Sequence, residues 1–319
     1  RDKLVTGVQT CALPISNLIK GYNTIVMYRA DIGYQRVYYT KEPFVMYSGL
    51  TGAQEAVTFK GNAENRRLNG WRDEFIDTHG RKAMEDYVDA TADFGTLVHQ
   101  SLVSIHQNQF IDWEQEQQLA RAYFVHNCLK MNIIANSSVI DKQVFEYCKA
   151  VAAIFQFICD NVVEWYAVEG MCYTDEYKVA TPIDLVCKLK DGLVYTINLK
   201  TSGQLTNKHR EQVLMEQWMW NETYKDLQAD RTALLRPKAW NEKKGIPTYE
   251  FEVVTNDIKD EDSCGMLDDF KARLKIALKR SENTYIRWPK TQMVFDGFTR
   301  VGEKPTMKQI GMIDRLKNL

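Results

Sequence analysis

The sequence has no apolar run near the ~20 residues that a membrane-spanning helix requires; residues 150–155 are among its longest. It has no CxxC pair. Its seven cysteines (Cys11, Cys128, Cys148, Cys159, Cys172, Cys187 and Cys264) are an odd, scattered set, which argues against a disulfide framework or a zinc ribbon. On a helix, Cys148 and Cys159 are expected to be buried small apolar side chains. The phosphate-binding GxxxxGK[ST] loop, the GxSxG elbow and the HExxH helix are all absent, so no NTP-driven motor or hydrolase of those classes is indicated. With 45% hydrophobic and 26% charged residues, the 319-residue chain has an ordinary globular mixture, not that of a collagen or a disordered tail. The expectation is a soluble, intracellular protein without a membrane partner, of one domain or two modest ones.

The net charge of −1 hides an asymmetry. Residues 271–319 hold 12 basic against 4 acidic side chains, which leaves a net −9 for the first 270. Such a basic segment is either a phosphate-binding surface or the solvated faces of two surface helices. At the other end the chain starts at Arg1, and VTGVQTCALPIS (5–16) looks like translated sequencing-adapter DNA joined to a reading frame whose true start is missing. The expected organisation is an artefactual segment 1–16, a main domain 17–281 and a basic extension 282–319, and no function is placed on Cys11.

Along the main domain, 22–47 is rich in β-branched and aromatic residues around a turn at Gly33, which predicts an antiparallel strand pair. Helices are predicted from there to about 166, including a proline-free stretch from His79 to Gln107. In 141–165, Cys148, Val151, Phe155, Ile158 and Val162 form one apolar stripe of helical spacing, read as core. Short strands follow: AVEGMCY, PIDLVCKL and LVYTINL, with Lys190-Asp191-Gly192 as the turn between the last two. Next come a helix at about 205–226, strands RTALLRP and TYEFEVV, a basic helix at about 263–281, a loose connection at 282–305 and a short helix at 306–318. This order predicts an α/β (α+β) fold, a sheet covered by helices with a helical N-terminal part.

The Lys-Asp-Gly turn brings the strand of Asp184 beside the strand that ends at Lys200. A carboxylate and a lysine near one sheet edge are an arrangement in which a metal ion and an ammonium grip one phosphate. On their own, an Asp and a Lys 16 residues apart say little.

Between Trp71 and Val254 the sequence resembles the PD-(D/E)xK nuclease superfamily, and within it the RecB-like phage exonucleases and the mitochondrial genome maintenance exonuclease. The resemblance lies in WRDEFIDTHGRKAMEDYVDATADFGTLVH (71–99), whose GTLVH is similar to a helical GTxxH motif; in VEGMCY (168–173); and in ATPIDLV (180–186), at the usual place of GxxD. INLKTS (197–202) stands at the usual place of DxKTS, and Gln212 where members carry a helical Gln. LLRPKAW (234–240) looks like the strand that follows in phage members. The resemblance implies a restriction-endonuclease-like core, a central mixed sheet flanked by helices. It implies His99 and Asp184 as metal ligands, Asp184 bridging, and Lys200 as the catalytic lysine. Glu169 would stand at a frequent acidic position, while Gln212, Thr201 and Ser202 would contact DNA, Gln212 also holding the active-site helix. Mg²⁺ or Mn²⁺ would be the cofactor. No cysteine cluster follows 264, so the iron–sulfur cluster of some RecB-like nucleases is not expected.

One position departs from the pattern. Asn198 stands where the superfamily has Asp or Glu, as a ligand and catalytic position; its amide oxygen can coordinate a hard cation but brings no charge. The slot of GxxD also lacks its Gly, reading Ala180-Thr181-Pro182-Ile183-Asp184. Three explanations follow: a weaker active site, a carboxylate relocated from another element, for which Glu216 one helical turn after Gln212 is the candidate, or an inactive relative that binds DNA. Asn198→Asp is nearly isosteric and so expected to be tolerated. The leading expectation is a metal-dependent DNA exonuclease of phage or prophage recombination or repair, in the cytoplasm of a bacterial host, with DNA and a phage recombinase or single-strand-binding protein as partners. The alternatives are a catalytically silent DNA-binding module and a structural or interaction protein of a phage particle.

Overall fold

The computed structural model describes residues 27–32, 35–41, 43–58, 63–130, 136–241, 246–256 and 265–280. The segment 1–16, the loose connection and the last helix expected at 306–318 lie outside these residues. The aromatic-rich start forms three strands rather than two: β1 (Tyr28–Ile32), β2 (Gln35–Thr40) and β3 (Val45–Gly49), each antiparallel to the next. Helices α1 (Leu50–Val57), α2 (Ala63–His79), α3 (Arg81–Asn108), α4 (Trp113–Lys130) and α5 (Ser137–Asn161) follow. Gly80, at φ 87°, breaks α2 from α3 in a conformation that costs a Cβ-bearing residue energy. Asn136 starts α5 by accepting a hydrogen bond from the Ser138 amide at 3.0 Å.

The expected meander is present as β4 (Val162–Thr174), β5 (Val179–Leu189) and β6 (Val194–Leu199), and Gly192 supplies the positive φ of the Lys190-Asp191-Gly192 turn. Then come α6 (Asn207–Thr223), β7 (Arg231–Asn241), β8 (Ile246–Val254) and α7 (Met266–Arg280). The eight strands make one open mixed sheet. β3 pairs with β5 and β6 with β7 in parallel, and the remaining pairs are antiparallel.

Both faces of the sheet are covered, which explains why β5 and β6 read as nearly continuous apolar runs. On one face Leu185, Cys187, Tyr195, Ile197 and Leu199 pack against α3, α4 and α5. On the other Val179, Ile183 and Val186 pack against α1, α6 and α7 through Met215, Met219, Trp220, Phe270 and Leu274. The buried face of α5 is built on Ile140, Val144, Tyr147, Val151, Ile154, Phe157 and Ile158. Within the expected stripe, Val151 and Ile158 are core, Cys148 and Phe155 are half-buried, and Val162 already belongs to β4. Cys159 is exposed, a correction to its expected burial, because it falls on the solvent side of the last turn. Cys172 and Cys187 are buried. No helix among the described residues is long and apolar enough to cross a membrane.

The two edges of β5 are paired differently. β4 runs along one edge of β5, from Val179 to Leu189. The other edge is shared: β3 pairs only at Val179 and Ala180, and β6 only from Leu185 to Lys188. Between them residues 181–184 have no strand partner on that edge. Pro182, which has no N–H to donate, sits inside this opening. The sheet therefore forks, and Asp184 stands at the crotch.

Candidate metal centre

Asp184 is only 6% exposed, and it is held by what surrounds the fork. One carboxylate oxygen accepts the Leu199 amide at 2.6 Å, ending the β5–β6 ladder with a side chain in place of a carbonyl. The other lies 3.0 Å from Nδ1 of His99 on α3. Burial alone would raise the Asp184 pKa, but the His99 ring, the Lys200 ammonium and the Leu199 amide outweigh it and take the pKa below its ordinary value. His99 answers in kind: burial acts to lower its pKa, and the Asp184 carboxylate raises it above the usual histidine range.

Glu169 lies on β4 between the pairs Val168–Leu185 and Gly170–Ile183, and so directly across from Asp184. Its backbone has φ 54°, a left-handed conformation that is strained for a residue with a Cβ and that occurs here within a strand. Burial, then the nearby Asp184 charge, pushes its carboxyl up to about 7. One ligand atom each from His99, Glu169 and Asp184 falls within 4.8 Å of the others, the arrangement a single cation needs. Three separate elements thus converge on one point.

Gly95 explains how α3 comes so close. A Cβ there would stand 3.1 Å from Oγ1 of Thr201, so the glycine lets the helix lie against the loop after Lys200 and delivers His99, one turn later, to the fork. Thr201 therefore packs on α3, while the Ser202 hydroxyl donates to the Gln204 carbonyl at 3.0 Å and shapes the same loop.

Lys200 is fixed from two sides. Its amide donates to Leu235 on β7 at 2.8 Å, and its ammonium donates to Oε1 of Gln212 on α6 at 3.0 Å. Burial lowers its pKa against the pull of Glu216 and Asp184. Gln212 passes the link on, donating to Glu216 at 2.7 Å. Glu216, 1% exposed, in turn accepts from Nδ2 of Asn198 with both oxygens, each at 3.0 Å. Burial and the Asp184 charge push the Glu216 carboxyl up to about 8, opposed by Lys200. The result is a chain, Lys200–Gln212–Glu216–Asn198. Its last acceptor is open: Oδ1 of Asn198 is buried and has no hydrogen-bond partner. An unsatisfied buried acceptor costs roughly 1–3 kcal/mol, so this atom suits a cation or an ordered water.

The donor set of one imidazole and two carboxylates fits a divalent cation of the oxygen-preferring kind. Glu216 lies outside the 4.8 Å cluster, and its oxygens accept from Asn198 and Gln212 instead. His209 has a structural part beside the site. Its ring closes a capping box with Thr206 at the start of α6, the helix that carries Gln212 and Glu216, and the T-x-x-H spacing was the only signal. Arg29 and Arg36, which act electrostatically on Glu169, were also missed. In comparison with known proteins, the chain matches no protein-family model and no curated protein.

Proposed function

We propose that the fork is the active site of a metal-dependent deoxyribonuclease with a nuclease-like core of the PD-(D/E)xK kind. The observation that carries this reading is the convergence of His99, Glu169 and Asp184 within 4.8 Å, from α3, β4 and β5. The element order around it, with α5, the β4–β6 meander, α6 and then β7 parallel to β6, agrees with the core that the resemblance implies.

His99, Glu169 and Asp184 would hold Mg²⁺ or Mn²⁺, with Oδ1 of Asn198 as a further ligand, and the ion would supply Lewis-acid activation of water and screening of the phosphate. The chain's own groups do the rest. Lys200, pinned by Gln212, offers a fixed ammonium to the charge that develops on the phosphate oxygens. His99 holds the Asp184 carboxylate in its ligating orientation, and the Leu199 amide fixes its second oxygen.

A second reading rests on the same Asn198. Its amide nitrogen is engaged by Glu216 and only a neutral oxygen is left for a cation, which favours a nuclease fold that binds DNA without cutting it. Incubating end-labelled single- and double-stranded DNA with Mg²⁺, Mn²⁺ or EDTA separates the two. Shortened products with metal, none with EDTA and none from Lys200→Met support the nuclease. DNA that stays intact at every metal concentration yet is retained by the protein supports the silent binder.

A further inference from the structure

Two guanidinium groups stand where a cation site alone would not want them. Arg29 lies opposite Tyr38 across the β1–β2 pair, and Arg36 is two residues from Tyr38 on β2, so the three share one face of the sheet. Arg36 also hydrogen-bonds the Tyr38 hydroxyl. Tyr38 packs with Met171 and Ala180. Met171 is two residues beyond Glu169 on β4, which turns this face toward the metal cluster.

The register gives Arg36 a specific place. Its backbone lies against the last β3 residue: a Cβ on Gly49 would stand 2.9 Å from the Arg36 carbonyl oxygen. Gly49 pairs with Ala180 just before the open stretch 181–184 of β5, so Arg36 stands near the mouth of the fork, and both arginines reach Glu169 electrostatically.

Positive charge beside a carboxylate pair weakens the hold on a divalent cation. It becomes useful when an anion is present, because a phosphate can lie on the cation and on the guanidinium forks at once. We propose that Arg29 and Arg36 form a phosphate-binding arm that grips the backbone of a nucleic-acid strand as it enters the fork toward His99, Glu169 and Asp184. The arm deepens the nuclease reading and rests on it.

The test compares the natural protein with Arg29→Gln, Arg36→Gln and the double variant, with Arg121→Gln on α4 as a control that matches the charge change of each single variant. Binding of a fluorescent single-stranded oligonucleotide, with either a 5′-phosphate or a 5′-hydroxyl, is measured by anisotropy across a salt series, and Mn²⁺ binding to the protein alone by calorimetry. The double variant is expected to bind the oligonucleotide at least tenfold more weakly, with the slope of log affinity against log salt reduced by about 1.4, since each phosphate contact on a single strand contributes ~0.7. Its Mn²⁺ affinity is expected to be equal or higher. Loss confined to the 5′-phosphorylated oligonucleotide assigns the arm to the strand terminus, and equal loss on both assigns it to internal phosphates.

Unchanged oligonucleotide affinity and slope overturn the arm. So does Mn²⁺ binding lost along with DNA binding, because the arginines would then act by shaping Glu169. Arg29→Gln leaves the Arg36–Tyr38 bond in place and keeps the test open if Arg36 variants do not fold. Cleavage by the natural protein that persists unaltered in the double variant sinks only the arm, whereas a natural protein that neither binds nor cuts the oligonucleotide sinks the nuclease reading as well.

Discussion

Replacing Asn198 by aspartate exchanges one heavy atom, the amide nitrogen for an oxygen, and reverses an interaction. In the natural protein the amide donates to both oxygens of Glu216. A carboxylate at position 198 would instead face another carboxylate at about the same distance inside the core. At an effective dielectric of about 20, two unit charges 3 Å apart repel by about 5 kcal/mol, so the pair keeps a shared proton rather than both charges. Glu216 already tends that way, with its carboxyl at about 8 instead of the ordinary 4.5. A carboxyl whose pKa is higher folded than unfolded makes stability fall as pH rises between the two values. For the natural protein that window runs from 4.5 to about 8, and Asn198→Asp extends it upward. The variant should lose about 1–2 kcal/mol at pH 6, the worth of the missing donor. The penalty should then grow by ~1.4 kcal/mol per pH unit above about pH 8. The near-isosteric shape that favoured tolerance at the level of sequence is thus outweighed by the partner on α6. Urea denaturation at pH 6, 7, 8 and 9 measures this directly. The double variant Asn198→Asp with Glu216→Gln restores a donor–acceptor pair and should recover most of the loss. Equal stability and equal pH slopes for the natural protein and Asn198→Asp would refute the Asn198–Glu216 contact.

His209 provides a second pH test: burial and the Lys200 charge hold its pKa down at about 4, so its neutral form stabilises the fold. That contribution is complete above the unfolded value of about 6.5 and disappears as pH falls toward 4. It should amount to roughly 2 kcal/mol after allowance for partial exposure, and His209→Asn should flatten the slope of stability over that range. Gly170→Ala would place a Cβ 2.9 Å from both the Trp220 ring and the Ala167 methyl, and thermal denaturation should show a loss of about 1–3 kcal/mol. Gly95→Ala presses only on the Thr201 hydroxyl, so its stability should change by less than about 1 kcal/mol while Mn²⁺ affinity falls, because α3 moves His99 away. A drop in stability without a change in metal affinity would contradict that assignment.

Much of this architecture is written locally. Residues 162–199 read as short apolar runs of strand length, and Lys190-Asp191-Gly192 supplies a glycine for the positive φ of a turn, so the meander and the Asp184–Lys200 juxtaposition were readable. Gln212 and Glu216 were readable as one helical face, and the structure adds that this face reaches Lys200 and Asn198. The fork was not readable, because it depends on a two-residue parallel pairing between β3 and β5 across some 130 positions of chain. For the same reason Arg29 and Arg36 had no visible link to Glu169. Cys159 was misplaced because its burial was expected from residue type alone, while Phe157 and Ile158 take the buried face of the last turn.

His99, Glu169 and Asp184 are proposed to hold one cation. Titrating Mn²⁺ into the natural protein and into Asp184→Ala by calorimetry tests it most directly, with circular dichroism to confirm that both are folded. A saturable heat in the natural protein that disappears in Asp184→Ala is the predicted result. A folded natural protein that gives no heat of binding, or a variant that binds Mn²⁺ as well as its parent, would contradict it.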